Sequence, residues 1–389
     1  MIFSCQIVHT LSMDNFFIKK YPAVKNKSFV RLLTSQLLSQ SGGYIQNVAL
    51  SALITEMTGS RMSLGIFLCV SYAPVFLFSY FAGRLTRKIP AKRMLIATEI
   101  LLLAMSSALI FLSEMPFWGF LVFGALWGTV RAFQTPAATS MPKLMCDRDA
   151  LPSGVAALSL AMSLSRAAGP IISGVLYTSL SYRAAFIANA LSYIPSLFLL
   201  WGIKVNTQKS ESAGKKGKMQ LSIPLLVVVF AVSLVGTAYN LIFTGLSEKL
   251  ALSRIWFSVF MALIGAGAVI GAYIMSGKKK FIWAALGIAG AAGVLAVSGS
   301  VFVICPVVLV YGLSDYLFFT SALTKIQEEN NENSIAGAMG VYTIVTTGAL
   351  PLGFLALGYL TQALPISSVL CIIAVCVAGT YLVFSRKIR

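Results

Sequence analysis

Apolar stretches long enough to cross a bilayer recur about twelve times along this chain, and nothing else in it constrains the fold as much. A hydrocarbon core of about 30 Å takes roughly 20 apolar residues in a helix. Runs of that kind fall near 29–56, 62–82, 94–112, 117–139, 151–180, 182–203, 221–246, 254–276, 281–298, 301–324, 334–361 and 366–385. The expected fold is an all-α membrane protein of twelve transmembrane helices. Its functional groups should then be the few polar side chains left inside the bilayer.

Charge supports that fold through its placement. Hydrophobic residues make up 58% of the 389 and charged residues 11%, against about 25% charged in a soluble domain. The net charge of +18 would suit a nucleic-acid partner if it formed a patch, but it is dispersed over alternate loops. With the N-terminus inside, Lys19, Lys20, Lys25, Lys27 and Arg31 precede or open span 1. Arg84, Arg87, Lys88, Lys92 and Arg93 follow span 2, and Lys143 and Arg148 lie between spans 4 and 5. Lys204, Lys209, Lys215, Lys216 and Lys218 follow span 6, Lys278, Lys279 and Lys280 follow span 8, and Arg386, Lys387 and Arg389 end the chain. The opposite loops hold Arg61, Arg183, Lys249 and Arg254. Positive residues mark the inner side, so both termini are expected to be cytoplasmic. The charge is topogenic, with some attraction to anionic lipid. No nucleic-acid partner is expected.

The first residues, MIFSCQIVHTLS, lack a basic leading region and a cleavage site and are too short to span, so they read as neither signal peptide nor helix. The only histidine, His9, lies in that tail, which excludes a histidine relay in the membrane. Six cysteines show no metal or disulfide spacing, and there is no glycine-rich phosphate loop. We therefore expect no enzyme activity, cofactor or metal. Transport energy would come from an ion gradient or from the substrate's own gradient.

The longest polar stretch between spans, KVNTQKSESAGKKGKMQ at 204–220, reads as a flexible tether. It divides the chain into a cytoplasmic segment 1–28, a six-helix half 29–203, the linker, a second six-helix half 221–385 and a tail 386–389. Two such halves suggest a rocking transporter that binds its substrate near the midplane.

On particular segments the chain resembles a known family. GRLTRKIPAKRML at 83–95 is similar to the basic loop of the major facilitator superfamily. The series FQTPA at 133–137, MPKL at 141–144, ALP at 150–152 and RAAGP at 166–170 with Gly174 resembles the branch of macrolide, siderophore and peptide-antibiotic exporters. YRAAFIANALS at 182–192 and the region from Phe29 to Gly59, with RLLTSQLLSQ and EMTG, fit the same branch. The likeness spans most of the chain and is weaker in its second half. It implies a proton antiporter whose gating loop is Gly83, Arg84, Arg87, Lys88, Lys92 and Arg93. Arg87 stands where the family usually carries Asp, so an acidic–basic latch is not available in that form. Gly83 suits a left-handed helix end, and the cations suit helix C-termini.

Span 5 repeats small residues every four positions at Ala157, Ala161, Ser165, Gly169 and Ser173, which lets another helix approach closely. Pro170 removes a backbone donor there. By resemblance, Arg166, Gly169, Pro170 and Gly174 form an antiporter-type helix motif. Gly267 and Gly271 of span 8 offer a facing surface, and plain helix packing explains the same pattern.

In span 1, Gln36, Gln40, Gly43, Asn47 and Ser51 fall on one helical face, with Tyr44 and Gln46 beside it. Amides do not face lipid cheaply, so the stripe lines water, substrate or another helix. Resemblance favours the substrate path for Gln36, Gln40 and Asn47, with Arg131, Tyr239 and Asn240 as further cavity residues. Arg131 and Arg166 serve equally well as structural groups that bond backbone. For proton coupling the candidates are Asp315 in span 10, which resemblance places in the cavity, and Glu99 in span 3. The reading is a monomeric secondary transporter in a bacterial cell membrane, exporting a small amphiphilic compound in exchange for protons. Cargo of that kind includes antibiotics, siderophores and bacilysin-like dipeptides, with self-resistance as one use. An uptake symporter, a lysolipid flippase and a transport-inactive scaffold are the alternatives.

Overall fold

The computed structural model describes residues 21–85, 89–147, 150–204, 220–236, 238–274, 280–330 and 335–388. A 3-10 turn at Pro22–Lys25 leads into α1 (Lys27–Thr58), α2 (Arg61–Leu85), α3 (Ala91–Phe111), α4 (Phe117–Met145), α5 (Leu151–Ser179) and α6 (Tyr182–Trp201). After the segment 205–219, which lies outside the described residues, come α7 (Ile223–Val235), α8 (Tyr239–Lys249) and α9 (Ile255–Ile274). They are followed by α10 (Lys280–Val297), α11 (Val301–Glu329), α12 (Ile335–Ala363) and α13 (Ile366–Ile388).

Local sequence sets the helix ends. The Asn26 side chain accepts hydrogen bonds from the Ser28 and Phe29 amides and starts α1. Gly59, at φ 60°, closes that helix and donates its N–H to the Thr55 carbonyl. Ser181 caps α6 by accepting from the Ala184 amide. The left-handed end expected at Gly83 is not found, because α2 continues through Gly83 to Leu85.

Among the described residues, eight helices are long and apolar enough to cross a membrane: α2, α3, α5, α6, α9, α11, α12 and α13. The span expected as one run over 221–246 is instead two helices, α7 and α8, bent by 43° and together equivalent to a ninth crossing. Gly236 stops α7, as its low helix propensity allows, and its carbonyl accepts from the Tyr311 hydroxyl at 2.9 Å. The helices α1 and α4 are long, with 32 and 29 residues, but their amides and charges keep them out of the apolar set. The apolar part of α10, Trp283–Val297, is short. Large apolar side chains coat the outside, among them Leu101, Leu191, Phe198, Trp283 and Val297, as lipid contact requires.

Within the first six helices, α1 packs on α5 and α6, α2 on α4, and α3 on α4 and α6. Among the later helices, α11 packs on α9 and α10, α13 on α7 and α10, and α12 on α7. The most extensive contacts between the two sets are α5 with α9 and α2 with α12. Small residues make these approaches possible. Gly65 and Gly358 face each other across α2 and α12, where a Cβ on Gly358 would come within 3.1 Å of the Gly65 Cα.

Candidate functional site

Three groups of buried polar side chains lie along α1, and each ties it to different helices. In the first, Arg131 of α4 donates to Gln40 Oε1 of α1 (3.0 Å) and to Gln134 Oε1 (2.8 Å). Gln134 in turn donates to Glu99 Oε1 of α3 at 3.0 Å. Glu99 and Gln134 are 0% and 1% exposed, so this is an internal chain linking three helices. The Arg131 guanidinium also sits 5.3 Å from the Trp127 ring centre, a cation–π arrangement. Three polar atoms in this region have no hydrogen-bond partner among the described residues: Gln36 Nε2, Glu99 Oε2 and Trp127 Nε1.

A second, fully internal cluster joins α1, α3 and α6. Gln46 Oε1 accepts from Asn189 Nδ2 at 2.7 Å and from the Ser106 hydroxyl at 2.8 Å. Its closed geometry is that of a structural amide cluster. The third group crosses between the two helix sets, with Asn240 Nδ2 of α8 donating to Ser51 Oγ (2.7 Å) and Asn47 Oδ1 (3.1 Å) of α1. Two residues expected to face cargo thus hold each other. A small recess, with room for no more than about one water, adjoins them, lined by Gln46, Asn47, Leu50, Phe67, Ser71, Phe123, Gly124 and Trp127.

On the side of the later helices, Asp315 is buried in α11. The Tyr239 hydroxyl of α8 is the polar group beside its carboxyl. Neither that hydroxyl nor Asp315 Oδ1 closes a hydrogen bond of good geometry. Arg166 of α5 lies within electrostatic reach of Asp315 and donates weakly to the Tyr44 hydroxyl at 3.4 Å. Among the described residues neither Arg131 nor Arg166 forms an ion pair. Tyr239 stands where the α7–α8 break turns the chain, packed edge-on against Tyr311 and stacked on Phe243. Broken helices at membrane depth commonly build substrate sites.

The small face of α5 serves two neighbours. Ser165 donates to the Leu37 carbonyl at 3.0 Å and Ser173 to the Ile45 carbonyl at 2.7 Å, both on α1. A Cβ on Gly169 would meet Tyr44 of α1, whereas one on Gly174 would meet Ser258 of α9 at 2.6 Å. The facing surface expected from Gly267 and Gly271 turns instead to α11, against Leu309, Leu313 and Tyr316. Gly265 is the glycine that meets α5, at Arg166 and Ala167. Helical phase explains the correction, since Gly265 and Gly267 point to opposite sides of α9.

Of the basic loop, Arg87 and Lys88 and the side chain of Arg84 lie outside the described residues. Lys92 donates to the carbonyls of Trp201 (2.9 Å) and Ile203 (2.7 Å), and Arg31 donates to that of Gly202 at 2.6 Å. Both cations thereby close the C-terminal end of α6.

At the end of the bundle remote from Lys27, ion pairs cross reciprocally between the sets. Arg61 of α2 binds Glu248 of α8 at 2.6 Å, and Arg254, just before α9, binds Glu56 of α1 at 3.1 Å. Arg61 also donates to the Thr361 carbonyl, and its amide donates to Gln362 Oε1 at 2.9 Å. The reading of the sequence missed this latch, as well as Gln134, Asn189 and Ser106. A glutamine one helical turn beyond Arg131 was the available signal for Gln134.

These features define an integral membrane protein built from helices with polar groups at its centre. The chain belongs to the Major Facilitator Superfamily, whose family model matches residues 32–354. Its fold and family are those of membrane transporters. Macrolide efflux protein A of Streptococcus pyogenes is 23% identical over 370 residues, covering 87% of this chain and 90% of that protein. The staphyloferrin A transporter of Staphylococcus aureus is 22% identical over 266 residues, covering 64% and 67%. Among solved structures, a peptide transporter in complex with sulfate superposes with a TM-score of 0.76 at 13% identity, covering 93% of this chain and 95% of that one. A bacterial homologue of the iron transporter ferroportin, in an inward-facing state, gives 0.70 at 17% identity over 93% and 98%.

Proposed function

We propose that this chain is a proton-driven exporter of a small amphiphilic compound, working by alternating access of two six-helix halves, 29–203 and 221–385, about the linker 204–220. It acts as a monomer in a bacterial cell membrane, with twelve crossings and both termini in the cytoplasm. The basic-loop and terminal cations support that orientation. On it, the latched end is the outer face. The observation that carries the proposal is Asp315, a buried carboxyl on α11 at the break between α7 and α8, facing Arg166 of the other half. An intramembrane carboxyl between two moving bodies is the group that proton exchange requires. Gln36, Gln40, Asn47, Tyr239 and Asn240 supply hydrogen bonds, and the surrounding aromatic rings supply apolar contact. The two relatives are named for macrolide efflux and for staphyloferrin A transport, and small-molecule cargo of mixed polarity suits this chain.

The test uses everted vesicles and a panel of radiolabelled macrolides, siderophores and dipeptide antibiotics. Acidifying the lumen is expected to drive accumulation of one of these classes, and Asp315→Asn is expected to abolish it. Uptake confined to right-side-out vesicles identifies a symporter instead. Absence of any gradient-dependent movement across the panel rejects the exporter reading.

A further inference from the structure

The Asp315 site leaves unused a second buried carboxyl, on the opposite side of the molecule. We propose that Glu99 is a separate proton site, which works through Gln134 and Arg131 to decide whether Gln40 is available to cargo. The part of this inference that concerns cargo rests on the transporter reading; the relay itself does not.

Geometry carries the inference. Glu99 is fully buried on α3, yet no cation touches it. Its Oε1 accepts one hydrogen bond from the neutral Gln134 amide, and its Oε2 closes no bond of good geometry, with the Ser39 and Ser196 hydroxyls as the polar groups beside it. A carboxylate so placed would be a buried charge with only neutral donors touching it, which is costly, whereas a neutral acid fits. The groups facing it are Arg131 and Gln134 of α4, Ser39 of α1, and Tyr193 and Ser196 of α6. Arg131 is the one permanent cation in that shell. In this state its two terminal nitrogens are held by Gln134 and Gln40, and its plane lies over Trp127.

Loss of the proton from Glu99 to solvent water creates a carboxylate that attracts Arg131. Arg131 lies one helical turn from Gln134, on the same face of α4, so a side-chain rearrangement reaches Glu99 without moving the helix. The move releases Gln40 Oε1 and leaves the Gln40 amide beside the unpartnered Gln36 amide on the cargo-facing stripe of α1. Protonated Glu99 therefore corresponds to an occupied Gln40, and ionised Glu99 to a free one. Proton and cargo then compete for the same machinery, which is the thermodynamic requirement of exchange. Glu99 acts through other residues and is a positioning residue.

The test needs neither cargo nor a gradient. A variant that keeps Trp127 and replaces Trp118, Trp201, Trp256 and Trp283 by Phe reports Arg131 leaving the Trp127 ring. In lipid nanodiscs its fluorescence is expected to show a reversible transition with pH. Glu99→Gln is expected to remove the transition, and Asp315→Asn to leave it in place. Should the multiple variant fold poorly, infrared difference spectra of the protein with all tryptophans present serve instead. A carboxyl C=O band lost at high pH should then be missing from Glu99→Gln alone. A transition that persists in Glu99→Gln, or no transition and no carboxyl band assignable to Glu99, overturns the inference. Failure of the vesicle experiment with a normal Glu99 transition removes the exporter reading and leaves the relay standing.

Discussion

Replacing Arg61 by Gln should open the end of the bundle remote from Lys27, and the size of the effect follows from the contacts it loses. Arg61 Nε and Nη2 reach Glu248 Oε2 at 3.0 and 2.6 Å, and Nη1 reaches the Thr361 carbonyl. The Glu248 side chain is 46% exposed and that of Arg61 23%, so water screens this pair. Pairs of that kind contribute about 0.2–1 kcal/mol. The hydrogen bond from the guanidinium to the carbonyl of the buried Thr361 adds about 1.5 kcal/mol. The bond from the Arg61 amide to Gln362 survives the substitution. The sum is about 2 kcal/mol, or roughly a 30-fold shift from the latched toward the open arrangement. The assay is the labelling rate of a single cysteine at Leu50→Cys, in a background without native cysteines, by a membrane-impermeant maleimide added outside. Leu50 is 3% exposed and lines the small recess beside Asn47, on the same helix as the latch residue Glu56. Labelling in Arg61→Gln should be faster by about that factor. Arg254→Gln, which breaks the reciprocal pair to Glu56, should act in the same direction and more weakly. An unchanged rate in both variants refutes the latch and the assignment of this end as outer.

Asp315→Asn should eliminate transport driven by a pH gradient while equilibrium binding of the same cargo survives, as filter binding alongside vesicle uptake can check. Gly265→Val should lower the melting temperature in detergent, because its side chain would press on the Ala167 backbone of α5, and overpacking of this kind costs about 1–3 kcal/mol. Gly290→Ala, with open space around it, is the neutral control. Gln46→Leu should destabilise by about 1–3 kcal/mol, since Asn189 Nδ2 and the Ser106 hydroxyl lose their shared acceptor. Thermal unfolding that leaves Gln46→Leu at the native midpoint would show that the cluster relaxes at no cost.

What the sequence made legible follows a simple physical division. Properties set within one helix were readable: crossing length, the polar face of α1, and the four-residue rhythm of small side chains in α5. The break after Val235 was not, because 221–246 is apolar throughout and a single glycine inside such a run is usually tolerated. The break becomes understandable only once Tyr311, 75 residues away, is seen to bind the Gly236 carbonyl. Helix pairing was equally hidden. The sequence offered Gly267 and Gly271 of α9 as the face for α5, but the rotation of α9 turns Gly265 there instead. The latch joins Arg61 to Glu248 across 187 positions, and in the sequence Arg61 reads simply as a loop charge on the outer side. Polar groups inside a membrane are costly alone and inexpensive when paired. A sequence can therefore show that Gln40, Glu99 and Arg131 must find partners. Only the fold shows that Arg131 binds Gln40 directly and is joined to Glu99 through Gln134, a chain of three helices held by neutral amides and one cation.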